Sequence, residues 1–374
     1  MPIKFLIVDT YYTRFLSSHY DKFPNLAYSD YAVQLESIMT QCFGTADFYS
    51  ENLKKLNCDA KDVIANNEIL QRQWAKENGL NLRNSFMSRA LGRLPLAKRL
   101  FPPRDFSLIV LEAQIKKDRP DVLYLQDLSF CPPDFITTIR KYVKLVVGQI
   151  ACPLPPLGNL KGYDLILTSF PHYVDMFRKM GIKSEYFKIA FDSSVLDKSG
   201  RQEKKFACTF VGGIGPAHKK GTALLEELAR RVEMDFFGYG AEILDKASPI
   251  LPRHHGEVWG LDMYRALLSS RIAINRHIDV AENYANNMRL YEATGCGALL
   301  LTDYKDNLNN LFEIGKEVVA YNSVDELVDL IKYYSAHEYE GQQIADNGQK
   351  RTLREHTYFN RMSELIDIID KYLR

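Results

Sequence analysis

Short apolar runs, each closed by a polar residue, recur along this chain and are separated by amphipathic stretches. Lys4-Phe5-Leu6-Ile7-Val8-Asp9 is the first, and its apolar centre closed by a carboxylate predicts a buried parallel strand. Runs at 121–127, 145–150 and 164–169 repeat it, with helices expected over 105–117, 132–143 and 171–180. The polar stretch 195–205 reads as a flexible linker, after which the pattern restarts. A strand is predicted at 206–211, a helix at 221–232, a strand at 234–237 ending in Gly238-Tyr239-Gly240, a helix at 261–270 and a strand at 272–275. Asn286-Asn287-Met288-Arg289-Leu290-Tyr291-Glu292 then opens a short helix that Gly295 and Gly297 stop before the apolar run 299–303. A strand at 317–321, helices at 324–335 and 339–353, and a last amphipathic segment at 357–373 complete the pattern. Strands alternating with helices define an α/β fold with parallel sheets covered on both faces. The restart divides the chain into Rossmann-like domains at 1–195 and 206–355 and a C-terminal helix at 356–374. Ligands of such sheets bind at the carboxyl ends of the strands, so a site is expected in the cleft between the two units.

Composition narrows the partners. The 374 residues exceed what one core usually serves, which agrees with two domains. Lys plus Arg number 48 against 47 Asp plus Glu, so no global field points to nucleic acid or an anionic membrane. Cys42, Cys58, Cys131, Cys152, Cys208 and Cys296 are scattered without zinc-type spacing, and a reduced, cytoplasmic setting with no bound metal is expected. No run is apolar for the roughly 18 residues that spanning a bilayer needs.

The chemistry concentrates in the second unit. An asparagine cap leaves backbone N–H groups free at a helix start, where the dipole favours an anion. Arg289 adds a charged fork, and Glu292 can accept two hydrogen bonds from a vicinal diol such as a ribose. Asn286, Asn287, Arg289, Tyr291 and Glu292 are therefore candidate ligands of a nucleotide diphosphate. The segment Gly212-Gly213-Ile214-Gly215, followed by Lys219-Lys220-Gly221, lets backbone approach a ligand and places lysines near phosphate charge. A glycine-rich turn with solvated lysines is the plain alternative. Gly238-Tyr239 and Trp259 offer edges and rings for a base, although each alone reads more readily as a plain turn. The first strand is not followed by GxGxxG, which removes the main support for a dehydrogenase.

Trp259-Gly260-Leu261-Asp262-Met263-Tyr264, Ser270-Arg271-Ile272-Ala273-Ile274-Asn275, Asn287-Met288-Arg289-Leu290-Tyr291-Glu292 and His356-Thr357-Tyr358-Phe359-Asn360-Arg361 occur in that order. Together they resemble the glycosyltransferase group typified by spore maturation protein CgeB, which is similar to the group 1 (family 4) glycosyltransferases. The resemblance covers about 205 to 370. It implies a GT-B fold of two facing Rossmann-like domains, a C-terminal helix that crosses back to the first, and no obligatory metal or cofactor. The co-substrate it implies is a nucleotide diphosphate sugar, held mainly by the second domain, and the acceptor is a glycan, a lipid-linked sugar or a small molecule. Glu292 matches the ribose-binding glutamate, and Lys220 looks like the lysine that meets the diphosphate. Two positions depart from the pattern: Tyr284 stands where a second glutamate is expected, with Glu282 the nearest carboxylate, and Gly213 stands where an arginine often follows the first glycine.

Sugar transfer needs the departing diphosphate stabilised, a role for Arg289, Lys220 and the helix N–H groups. An inverting reaction also needs a base, and Asp9, His19, Asp127 and His172 qualify by position near strand ends, each with a structural cap or surface role as alternative. Residues 83–104 carry Arg83, Arg89, Arg93, Lys98, Arg99 and Arg104 without an acid among apolar residues, a pattern suited to peripheral membrane contact or to arginines standing in water. A nucleotide-sugar epimerase and a non-catalytic nucleotide-binding module remain alternatives to a transferase.

Overall fold

The computed structural model describes residues 2–81, 105–214 and 219–373, with the backbone alone at Lys219 and Lys220. Two parallel sheets carry the chain. The first has six strands, β1 (Lys4–Asp9), β2 (Asp59–Ile64), β3 (Val122–Leu125), β4 (Leu145–Ile150), β5 (Leu165–Thr168) and β6 (Ser184–Tyr186), in the order β2-β1-β3-β4-β5-β6. The second has five, β7 (Phe206–Val211), β8 (Asp235–Phe237), β9 (Ser270–Asn275), β10 (Leu299–Asp303) and β11 (Val319–Tyr321), in the order β11-β10-β9-β7-β8. All β3 and β5 side chains are buried, as expected of strands covered on both faces. In each sheet the order reverses beside its first strand, between β1 and β3 and between β7 and β9. Crevices open at such switch points.

Local chemistry starts and stops the covering helices. Asn67 accepts from Leu70 N at 3.2 Å to cap Glu68–Glu77, Asp105 accepts from Ser107 N at 2.9 Å to cap Phe106–Asp118, and Ser323 accepts from Glu326 N at 3.1 Å to cap Val324–Ala336. Pro133 and Pro171 stand in the first turns of Pro133–Ile139 and Pro171–Lys179, where a missing N–H is harmless. Strand β2 and four helices between Thr13 and Glu77 lie in a stretch for which no elements were expected.

The stretch 195–205 is not a free linker. Ser194–Ser199 is helical, Val195 is fully buried, and Lys204 Nζ donates to the carbonyls of Ser270 (2.8 Å) and Gly297 (3.0 Å). Its polar composition reflects exposed positions around one anchored face. The chain returns at its end: Phe191 N–H donates to His356 O (2.9 Å), Tyr358 N–H donates to Phe191 O (3.0 Å), and the helix Tyr358–Leu373 packs on Phe48–Lys55 of the first half. Tyr358, Met362, Leu365 and Ile369 share one core with Phe48, Tyr49 and Leu53, each such buried side chain contributing roughly 1.5–3 kcal/mol.

Candidate functional site

A cavity of about 500 Å³ opens where the two switch points face each other. The first half contributes Asp9 and Thr10 from the end of β1, with Tyr12, Phe43 and Gly44 from the loops beyond. From the second half come Gly212 and Gly213 after β7, Gly238 and Tyr239 after β8, Asn275 and Arg276 at the end of β9, and Trp259. Asn287, Arg289 and Glu292 of the helix Met288–Gly295 complete that side.

Close backbone approach explains the glycines. Gly238 has φ +132°, and a Cβ there would lie 2.0 Å from the Gly212 carbonyl oxygen. A Cβ on Gly213 would meet the Tyr239 ring at 2.6 Å, so Tyr239 fills the space that a side chain at 213 would need. Tyr239 in turn stacks on Trp259 at 5.4 Å and 10°, forming a flat aromatic wall. Tyr12 of the first half meets both rings edge-on at 6.0 and 5.8 Å, and Phe43 meets Trp259 at 5.6 Å. Gly260, at φ +52°, would place a Cβ 2.0 Å from the Gln41 carbonyl oxygen, and Leu261 N–H donates to that same oxygen at 2.7 Å. Arg14 bridges the mouth to Glu242 (2.8 Å) and Glu257 (3.0 Å).

The helix Met288–Gly295 starts as expected. Asn287 Oδ1 accepts from Leu290 N at 3.2 Å, while Asn287 Nδ2 donates to Asn275 Oδ1 at 2.7 Å and ties the helix start to β9. Arg289 and Glu292 fall on one face and pair at 2.8 Å. Their side chains are only 14% and 6% exposed, so this is a buried pair and not the exposed surface pair that the i,i+3 spacing alone suggests. Arg289 also reaches the Met263 sulfur at 3.4 Å, and Tyr264 Oη lies 3.5 Å from Glu292. Burial pushes the Glu292 carboxyl above its ordinary range against the opposing pull of Arg289 and Tyr264.

Opposite, Asp9 is pushed up to about 7, chiefly by burial, with the Thr10 N–H opposing and the charge of Asp127 adding to the rise. Thr10 bridges the two acids, its N–H to Asp9 at 2.7 Å and its hydroxyl to Asp127 at 2.8 Å. The cleft therefore holds a carboxyl that exchanges its proton near neutrality, facing an arginine and a capped helix start.

Several expected residues fall elsewhere. Tyr291 is buried against Phe312 and His356 at 6.0 and 5.1 Å and does not line the cavity, because two residues on from Arg289 the helix has turned its side chain away. Asn286 is buried without lining the cavity, and Asp127 lies behind Thr10. His19 bonds Ser37 at 3.0 Å within the first half. His172 stacks on Tyr284 at 5.6 Å and 14°, so the position where a second glutamate was expected makes an aromatic contact between halves. Gly215, the Lys220 side chain and 83–104 lie outside the described residues. Arg276, Tyr12 and Phe43 are cavity residues that sequence reasoning missed. Arg276 was visible as a charge directly after a buried strand; the two aromatics carried no pattern. Among the described residues no three His, Cys, Asp or Glu side chains gather as a metal site, and no helix is long and apolar enough to cross a membrane.

A glycosyltransferase from Rickettsia africae ESF-5 superposes with a TM-score of 0.55 at 11% identity, covering 99% of each chain. Anabaena Alr3699/HepE, solved in complex with UDP-glucose, gives 0.56 at 11%, covering 99% of this chain and 100% of that one. A mutant of Staphylococcus aureus TarM, in complex with fondaparinux, α-GlcNAc-glycerol and UDP, gives 0.51 at 11% over 72% of this chain and 60% of its own. The fold is the GT-B fold, two Rossmann-like units around a cleft. The family model described as glycosyl transferase-like matches residues 219–367, most of the second half and the helix that leaves it. No curated protein matches the chain in sequence.

Proposed function

We propose that the protein is a CgeB-like glycosyltransferase that moves a sugar from a nucleotide diphosphate donor to a glycan, lipid-linked or small-molecule acceptor in the cytoplasm. The observation that carries this reading is the cavity at the two facing switch points, which sets Arg289, Glu292 and a capped helix start opposite the half-buried carboxyl of Asp9. The match to the glycosyl transferase-like family model and the UDP-glucose held by the HepE structure support it. In this reading the base stacks against the wall of Tyr239 and Trp259, and Glu292 exchanges part of its contact with Arg289 for the ribose diol. The freed guanidinium, the N–H groups of Met288–Gly295 and Lys220 stabilise the leaving diphosphate, so no metal is required. The ionised form of Asp9, present beside the protonated form near pH 7, takes the acceptor proton as the bond from sugar to diphosphate breaks, and the charge of Asp127 adds to the rise of its pKa.

A thermal-shift panel of nucleoside diphosphates and their sugars, followed by product detection with and without EDTA, tests the reading. A ligand of the native state raises the melting temperature by mass action. If no nucleotide shifts the protein, the donor site is refuted; turnover of the sugar nucleotide without an acceptor would instead make it an epimerase. Flotation with anionic liposomes tests the contact proposed for 83–104.

A further inference from the structure

A cation and a buried imidazole stand side by side at the end of β9. Arg276, directly after β9, lines both the main cavity and a neighbouring one of about 40 Å³. Its Nη1 lies only 3.0 Å from where a Cβ on Gly221 would be, so the guanidinium rests against the first turn of the helix Lys219–Arg231. That helix end is the positive pole of the dipole, which disfavours a cation unless an anion lies between them. The Asp279 carboxylate that meets Arg276 at 3.2 Å is 60% exposed and offers weak compensation.

The next residue supplies the imidazole. His277 lines the small cavity, and its side chain is fully buried. Nδ1 lies 2.7 Å from Asp303 Oδ1, while Nε2 has no partner among the described residues. Burial would raise the Asp303 carboxyl, but the His277 hydrogen bond and charge, with Lys305 at 3.4 Å, hold it below its usual range. Asp303 thus engages Nδ1 and leaves Nε2 as the ring atom open to a ligand. Around this ring stand Asp303 and Lys305 from the β10 end and Arg276 and Asp279 from its own segment, with Tyr321 of β11 coupled to Asp303.

We propose that Arg276 and the buried, unpartnered Nε2 of His277 form the diphosphate grip of this site, with the first turn of Lys219–Arg231 as its third wall. The inference rests on the donor reading above and names the residues that hold the phosphates. It also accounts for Gly213. With Tyr239 occupying the space beside Gly213, a side chain at that position has no room, and β9 supplies a cation from the adjacent strand.

The test is a calorimetric titration of UDP, ADP, GDP, their parent nucleosides and inorganic pyrophosphate into wild type, Arg276→Gln, Arg276→Lys and His277→Asn. Arg276→Gln should weaken pyrophosphate and the preferred nucleoside diphosphate about tenfold or more, as loss of a charge-assisted hydrogen bond does. Arg276→Lys should recover part of that loss, His277→Asn should lose severalfold, and nucleoside binding should stay within about twofold. Gly221→Ala provides a variant that favours its helix; its methyl group, 3.0 Å from the guanidinium, should weaken pyrophosphate severalfold while thermal stability holds or rises. Unchanged diphosphate affinity in Arg276→Gln, or a parallel loss for the nucleoside, overturns the grip. If wild type itself binds no nucleotide, the donor reading fails first and the grip with it; if wild type binds and the variants bind equally, only the grip fails.

Discussion

Replacing Asp9 by Asn should stabilise the protein, and increasingly so as pH rises. The carboxyl ionises near 3.8 in an open chain but near 7 in the folded protein, because burial at the end of β1 penalises its charge. Between those values the unfolded chain has lost the proton and the folded one has kept it, so wild-type stability falls as pH climbs from about 4 to 7. At 1.36 kcal/mol per unit, the deficit approaches about 4 kcal/mol above pH 7 and is only about 1.6 kcal/mol at pH 5. Asparagine stays neutral, and its Oδ1 can keep the bond from Thr10 N–H, which is 2.7 Å in the wild type. The gain from Asp9→Asn should therefore grow by about 2–3 kcal/mol between pH 5 and pH 8. Urea denaturation of both proteins at the two pH values measures it, and the glycosyl-transfer rate should fall in the same variant, since strain at a working group is relieved at the expense of activity. An equal gain at both pH values, or a loss at pH 8, would refute the account of Asp9 as a half-buried, proton-retaining carboxyl. Asp62, also raised to about 7 by burial and held by Ser50, slopes the wild-type curve in the same sense, so the difference between variants is the quantity to read.

Glu292→Gln should lower nucleotide affinity about tenfold or more in the calorimeter; a melting-temperature loss with unchanged affinity would assign Glu292 to the Arg289 pair alone. Gly260→Ala brings a methyl group within 2.0 Å of the Gln41 carbonyl at φ +52°, and should separate the halves or cost roughly 1–3 kcal/mol, seen as a larger radius of gyration or a lower melting temperature. His356, buried with Nε2 2.8 Å from the Leu311 carbonyl, has its pKa lowered to about 4 mainly by burial. Its contribution is complete above about pH 6.5 and is lost as pH falls towards 4, because the unfolded chain takes up the proton first. His356→Gln should flatten that acid limb in denaturation curves, and an unchanged slope would contradict the assignment.

The strands that read clearly were those buried on both faces. Val122–Leu125 and Leu165–Thr168 are uninterrupted apolar runs, whereas Asp59, Lys61 and Asp62 break the pattern of β2, an edge strand whose exposed positions tolerate charge. The early helices lack legible starts: Tyr12 and Asp30 precede Thr13–Lys22 and Tyr31–Met39 without a side-chain capping bond. Within the site, Asn287, Arg289 and Glu292 were legible because one helix turn gathers them. Tyr12 and Phe43 were not, since they meet the cavity only after separate segments fold onto it. Helical period explains the misplacement of Tyr291, which shares a segment with Arg289 but not a face.

The chain passes between its two halves at neighbouring points, near Phe191 and again at Thr357, and these strands run side by side as a parallel bridge. A single tether would let one half swivel freely about the other. Two tethers bonded together act as a flat ribbon, which bends easily in one direction and resists twist. Any relative motion of the halves has to bend this ribbon, which holds Asp9 and Arg289 on facing walls of the cavity. A fluorophore carried on the helix Tyr358–Leu373 would ride with the first half, despite following the second in the chain, and its distance to a label on Val324–Ala336 would stay fixed unless the ribbon bends.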